Sequence, residues 1–165
     1  TQPLPRGGRV AIITNAGGPG IMATDSAVRF GLKLAELSPA TQEKLKASLP
    51  STASLRNPID VIGDARADRY RSAVRTVLED DNVDMGMVIL TPQSMTDIED
   101  TAAVVPDAVK GIKKPVVCAF MGAKDVAAGV NILRQAGIPN YAFPEDAVRR
   151  RAASRASISA SSSVV

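Results

Sequence analysis

The chain has no histidine, no tryptophan and a single cysteine. Without histidine, its own residues cannot form a Ser-His-Asp or Cys-His catalytic group, and histidine metal ligands are excluded too. No carboxylate cluster has the spacing of a metal loop, so no metal site is expected. One cysteine excludes an intrachain disulfide, and Cys118, set in the apolar run Val116–Phe120, reads as a small buried core residue. Aromatics make up only 3% of the chain, which leaves few platforms for stacking nucleic-acid bases or a flavin. No apolar run approaches the roughly 20 residues that span a bilayer. The opening Thr1–Arg6 lacks the apolar core of a signal peptide. A cytoplasmic location and no membrane partner are therefore expected. The chain also lacks an initiating Met, which suits a processed or excised piece.

What is present is ordinary for one globular domain: 165 residues, 45% hydrophobic and 22% charged. The net charge of +3 is concentrated at one end, because removing Arg149, Arg150, Arg151 and Arg155 leaves 16 cations against 17 anions. A short basic end on a helix is favoured by the macrodipole and does not make a nucleic-acid site. No nucleic-acid partner is expected.

Strand and helix patterns alternate along the chain. The apolar runs predict strands over 9–14, 32–35, 85–90, 116–120 and 140–143. The run 85–90 is apolar almost without break, as in a strand covered on both faces. Helices are expected over 19–30, 38–49, 67–79, 96–110, 125–135 and 144–151. Gly31 closes the first, Ser38 caps the second with Pro39 behind it, and Tyr70, Ala73, Val74, Val77 and Leu78 stripe the third. Thr96 and Glu99 suit a capping box, and Pro106 marks a kink or break. Residues 54–64 read as an irregular segment, residues 1–8 as an extension or linker, 9–153 as the domain, and the Ser-rich 154–165 as a disordered tail. This alternation predicts an α/β fold, a three-layer doubly wound parallel sheet of flavodoxin-like order 2-1-3-4-5. In that order the first and third strands meet at the topological switch point, where ligands bind outside the carboxyl ends.

The loops that follow those two strands are Asn15–Gly20 and Thr91–Met95, and they are also the most unusual in the sequence. Asn15-Ala16-Gly17-Gly18-Pro19-Gly20-Ile21 joins a strand to a helix start, where backbone N–H groups hold a phosphate or carboxylate. It is not a Walker A loop, because Ile21-Met22 stands where Lys-Ser/Thr must follow, nor does it have the G-x-G-x-x-G spacing. Without that fingerprint, Glu36 at the end of the second strand is weak evidence for a ribose contact. The glycines either make a tight turn or contact an anion, and two of them before Pro19 favour contact. Asn15 either offers its amide or caps the strand. Thr91, Pro92 and Gln93 suit either a phosphate oxygen or a neighbouring loop, while Asn57 and Asp60 either touch the crevice or hold their own loop through Asx-turns. Met22, Met85, Met87 and Met95 are expected to fill the core. Ser26 and Ser94 have no general base in sight, so no serine nucleophile is expected.

Four ordered motifs resemble the ligase-CoA domain of NDP-forming acyl-CoA synthetases, relatives of succinyl-CoA synthetase. They are Thr14–Asp25, Asn57–Asp64, Leu90–Asp97 and Gly137–Tyr141 with Pro144-Glu145. The resemblance covers residues 8–151. It implies a flavodoxin-like domain of an acid–CoA ligase (ADP-forming), in which acyl-CoA, ADP and phosphate give acid, CoA and ATP through a phosphohistidine. That histidine belongs to a preceding ligase domain. The implied role here is a helix start at Gly18–Ile21 that faces the phosphoryl group, matched by a helix from the histidine-bearing domain. No cofactor is expected to be bound covalently. CoA, ADP/ATP and magnesium would belong to other domains, which the resemblance places as a CoA-binding, a histidine-bearing ligase and an ATP-grasp domain, in cis or in trans. With no histidine, the isolated chain is expected to be inactive. The alternatives are a non-catalytic ligase-like scaffold or regulatory domain, and a flavodoxin-like small-anion binding module. A homo-oligomer, the acid used, and ADP against GDP stay open.

Overall fold

The computed structural model describes residues 2–162, with side chains to residue 154. Its elements are β1 (Arg9–Thr14), α1 (Gly17–Arg29), β2 (Lys33–Leu34), α2 (Pro39–Ser48), β3 (Ile59–Asp60), α3 (Ala67–Leu78), β4 (Met85–Leu90), α4 (Ile98–Val109), β5 (Val116–Phe120), α5 (Ala127–Gln135) and α6 (Pro144–Ser162). All named pairings are parallel, and the sheet runs β2-β1-β4-β5 with β3 also on β1. The long neighbours β1 and β4 are the pair expected at the switch point.

Side chains of successive strand residues point to opposite faces. Ala11, Ile13, Val88, Leu90 and Cys118 therefore join one buried cluster, with Tyr70, Val74 and Val77 of α3 and Ala102 and Val105 of α4. Val10, Ile12, Met87, Ile89 and Val117 join the other, against Ala23 and Ala27 of α1 and Ala147 and Val148 of α6. These two clusters make the three layers.

Several boundaries differ from expectation for identifiable reasons. Residues 59–60 form a strand, because Ile59 and Asp60 continue the ladder on β1 opposite Ile13 and Thr14. The expected strand over 140–143 shrinks to one bridge between Asn140 and Cys118, since the Asn140 carboxamide itself accepts the next N–H, from Phe120, at 2.9 Å. Helix α1 begins at Gly17, so Pro19 lies in its first turn and the N-cap is Ala16. Thr96 does not cap α4; its hydroxyl accepts the Gln93 N–H at 2.9 Å, and Asp97 stands at the cap with no side-chain bond. Pro106 sits inside an unbroken α4. Helix α5 starts at Ala127, two residues late. Helix α6 continues past Arg151 to Ser162 through an alanine-rich stretch, alanine being the best helix former. Residues 163–165 of the expected tail lie outside the described residues.

Other expectations hold. Ser38 accepts the Thr41 N–H at 3.3 Å with Pro39 behind it. Gly31, at φ +74°, closes α1: its own N–H reaches the Val28 carbonyl and that of Leu32 reaches the Ala27 carbonyl. Met85 and Met87 are core residues, but Met22 and Met95 are 40% and 49% exposed, since both lie at the rim beside the two loops.

Residues 2–5 cross the amino end of the sheet. Gln2 Oε1 accepts from Val116 N–H and from Arg151, both at 2.8 Å. Nearby, the Arg9 guanidinium and backbone grip Asp84, and Lys114 Nζ donates to the Asp80 carbonyl. The Arg9 bond holds the Asp84 carboxyl below its usual range against the opposing effect of burial. Burial acts to raise Asp80, yet the N–H groups of Asn82 and Ser38 leave it lowered.

Candidate functional site

Strand β1 ends at Thr14, in its last rung opposite Ile89 of β4. Beyond that rung, side chains replace the backbone ladder. Asn15, 3% exposed, donates its amide to the Thr91 carbonyl at 2.8 Å and accepts the Thr91 N–H at 2.9 Å. The Asn15 carboxamide thus fastens the two loops to each other. Thr91 Oγ1 also leans on Asn15 and accepts from Gln93 Nε2 at 3.1 Å.

The glycine loop follows. Thr14 Oγ1 accepts the Ala16 N–H and donates to the Ala16 carbonyl, turning the chain into α1. The first helical bond is Gly20 N–H to the Ala16 carbonyl. Pro19 has no N–H. The N–H groups of Gly17 and Gly18 therefore form the open start of the helix, and both residues are exposed. No side chain caps them. A Cβ on Gly18 would meet nothing within 4 Å. At Gly20 it would lie 3.1 Å from Thr14 Cγ2 and 3.4 Å from Pro58 Cβ, so this glycine is there for close packing. Ile21 points outward, 63% exposed.

Asp60 stands beside this start. One carboxylate oxygen accepts the Ile62 N–H at 2.8 Å, the expected Asx-turn, and the other lies 3.9 Å from where a Gly17 Cβ would be. Ile62 holds φ +70°, a conformation a β-branched residue rarely adopts. Strain of this kind clusters at functional sites. Gln93 covers the neighbouring Gly63, whose Cβ would lie 3.6 Å from its Cγ. Arg69 reaches the Val61 carbonyl at 2.9 Å and pairs with Asp64, holding that carboxyl below its usual range.

Asn15, Gly17, Gly18, Asp60, Thr91 and Gln93 thus converge on one crevice. Pro92 turns aside toward Gly122, whose Cβ would meet it at 3.0 Å. Asn57 lies elsewhere: it accepts the Ile12 N–H at 2.9 Å and donates to the Val10 and Ala35 carbonyls at 2.8 and 3.1 Å. It works halfway down β1, where strand pairing is interrupted. Glu36 is exposed just past the end of β2. Ile62, Gly63 and Tyr70 were missed by sequence reasoning. The first two stood in a recognised turn segment, while Tyr70 counted only as part of an apolar stripe.

The crevice has no nucleophile. Cys118 is buried in the sheet, where desolvation pushes its thiol far above the ordinary range. Ser26 is buried on α1. Among the described residues no group of His, Cys, Asp or Glu could hold a metal ion, and no helix is long and apolar enough to cross a membrane. What the site offers is a helix N-terminus carrying about half a positive charge, with two free donors.

Comparison with known proteins gives the same architecture. The Ligase-CoA domain family model matches residues 10–158. The acetate–CoA ligase [ADP-forming] I of Archaeoglobus fulgidus is 42% identical over 144 residues, covering 87% of this chain and 20% of that protein. The alpha subunit of acetate–CoA ligase [ADP-forming] II of Pyrococcus furiosus is 42% identical over 151 residues, covering 88% of this chain and 33% of that one. A solved structure of the dinucleotide-forming acetyl-coenzyme A synthetase 1 of Ca. Korarchaeum cryptofilum, in complex with phosphate and ADP, superposes with a TM-score of 0.87 at 32% identity, covering 94% of this chain and 34% of that one. The chain therefore spans a third or less of the curated relatives described here. By its fold, by its glycine-loop sequence and by a match over most of its length, this chain belongs to the Ligase-CoA domain family.

Proposed function

We propose that this domain holds a phosphoryl group at the start of α1 during the reaction of an ADP-forming acid–CoA ligase. The observation that carries the reading is the exposed, uncapped helix start at Gly17 and Gly18, set at the carboxyl edge of the β1–β4 switch point. Phosphoryl transfer depends mainly on positioning and electrostatics, so a domain without a nucleophile can still be essential to it. Donors aimed at developing charge in a partly dry site are worth far more than in water. In this reading the phosphorylated histidine comes from another domain. CoA, ADP and magnesium bind on further domains, joined in cis or contributed by a second subunit, and the setting is cytoplasmic. The names of the relatives, one of them a separate alpha subunit, support that arrangement.

The test is Gly18→Val in the complete enzyme. Gly18 has open space around it, so the variant folds normally. The added side chain stands over the donors, and phosphoenzyme formation falls about 100-fold or more, the scale of losing a preorganised donor. A variant phosphorylated at the normal rate would refute the role.

A further inference from the structure

Tyr70 begins the buried face of α3 and is itself fully buried. Its ring belongs to the apolar stripe, but its hydroxyl reaches the carboxyl end of the sheet. There it donates to the Ile89 carbonyl at 2.9 Å. Ile89 and Thr14 form the last rung between β4 and β1. The phenol therefore holds a backbone group of that rung. At the next step the Asn15 carboxamide bridges to both backbone groups of Thr91. The two strands therefore part at the floor of the crevice around one hydroxyl and one amide.

The geometry points to Tyr70 as a positioning residue of the anion site: its hydroxyl fixes the Ile89 carbonyl in the last β1–β4 rung and so sets where the glycine loop leaves β1. This rests on the phosphoryl-holding reading above. A packing role alone would need only the ring. A buried hydroxyl is retained without cost only when it is hydrogen-bonded, and here its partner lies at the end of β4, in the rung that faces Thr14.

The experiment uses the isotope-labelled 165-residue chain and Tyr70→Phe, which keeps the ring and removes one oxygen. Val77→Ala, a buried change on the same helix away from the crevice, serves as the comparison. Without ligand, Tyr70→Phe speeds hydrogen exchange at the Asn15 and Thr91 amides roughly tenfold beyond the change common to the whole sheet, the scale of one lost buried hydrogen bond. Val77→Ala lowers overall stability without singling out those amides. Exchange at Asn15 and Thr91 that merely follows the rest of the sheet in Tyr70→Phe overturns the inference. Inorganic phosphate is then titrated while the Gly17 and Gly18 amides are followed. Tyr70→Phe needs roughly three- to tenfold more phosphate than the wild type, and Val77→Ala needs the same amount. Wild-type amides that ignore phosphate defeat the phosphoryl-holding reading, and the exchange result still decides whether Tyr70 sets the loop. Wild-type binding matched by unchanged binding in Tyr70→Phe defeats the Tyr70 inference alone.

Discussion

The two ends of this sheet are secured by different chemistry. At the amino end the donors are charged side chains: Arg9 pairs with Asp84, Lys114 donates to the Asp80 carbonyl, and Arg151 donates to the Gln2 carboxamide and the Val116 carbonyl. At the carboxyl end the β1–β4 junction is made by neutral groups, the Asn15 carboxamide, the Thr91 hydroxyl and the Tyr70 phenol, while Arg69 and Asp64 pair beyond β3. An anion site depends on a small, oriented electrostatic field from a helix start, and fixed cations beside it would bind anions indiscriminately. Neutral clamps hold the loops without adding to that field. The only charge set close against the glycine loop by the contacts described is Asp60, itself tied to Ile62.

Substitutions along β1 and at its two ends test how separate these regions are. The largest loss is expected from Asn57→Ala, between the ends, where the Ile12 N–H and the Ala35 carbonyl lose their partner at once, while the Val10 carbonyl keeps the Ala35 N–H. Unmet buried backbone groups make this about 3 kcal/mol, read as a lower denaturation midpoint with an unchanged slope. Gly20→Val comes next, at about 2 kcal/mol, because its new atoms meet Thr14 and Pro58. Gly18→Val, two residues away, should leave stability nearly unchanged while abolishing phosphate-induced shifts. If the two glycine variants behaved alike, the division of the loop into a packed and a binding half would fail. The smallest effect on phosphate binding is expected from Asp84→Asn. The Asp84 carboxyl is held below its ordinary value in the fold, so its contribution is complete above the unfolded value of about 3.9 and is lost as pH falls through the lower folded value. Denaturation curves from pH 7 to 3 should show the wild type losing more stability than Asp84→Asn below about pH 4. Phosphate binding near neutral pH should be the same in both, and a change there would mean that the ends are coupled.

The long strands were legible because β1, β4 and β5 are apolar nearly throughout, and no other element buries both faces so completely. The helices were legible from Ser38-Pro39, Gly31 and the α3 stripe. The glycine loop declared itself because Gly-Gly-Pro-Gly exceeds what a plain turn requires. What escaped were side chains that act as backbone. Asn57 in a turn-rich segment reads the same whether it bonds its own loop or a strand two elements away. Tyr70 at a helical apolar position is counted for its ring, and periodicity carries no information about where a hydroxyl ends. Thr96 was a plausible cap, and only the competing Gln93 N–H decided against it.

Asn57 carries one further consequence. The outer edge of β1 is covered in three pieces: β2 opposite Arg9 and Val10, the Asn57 side chain at Val10 and Ile12, and β3 opposite Ile13 and Thr14. Two strands of two residues each would otherwise leave a gap of unpaired backbone between them, the kind of opening through which a foreign strand adds to a sheet. One amide fills that opening with groups that mimic a peptide bond. The seal makes the domain a poor template for aggregation and strand exchange.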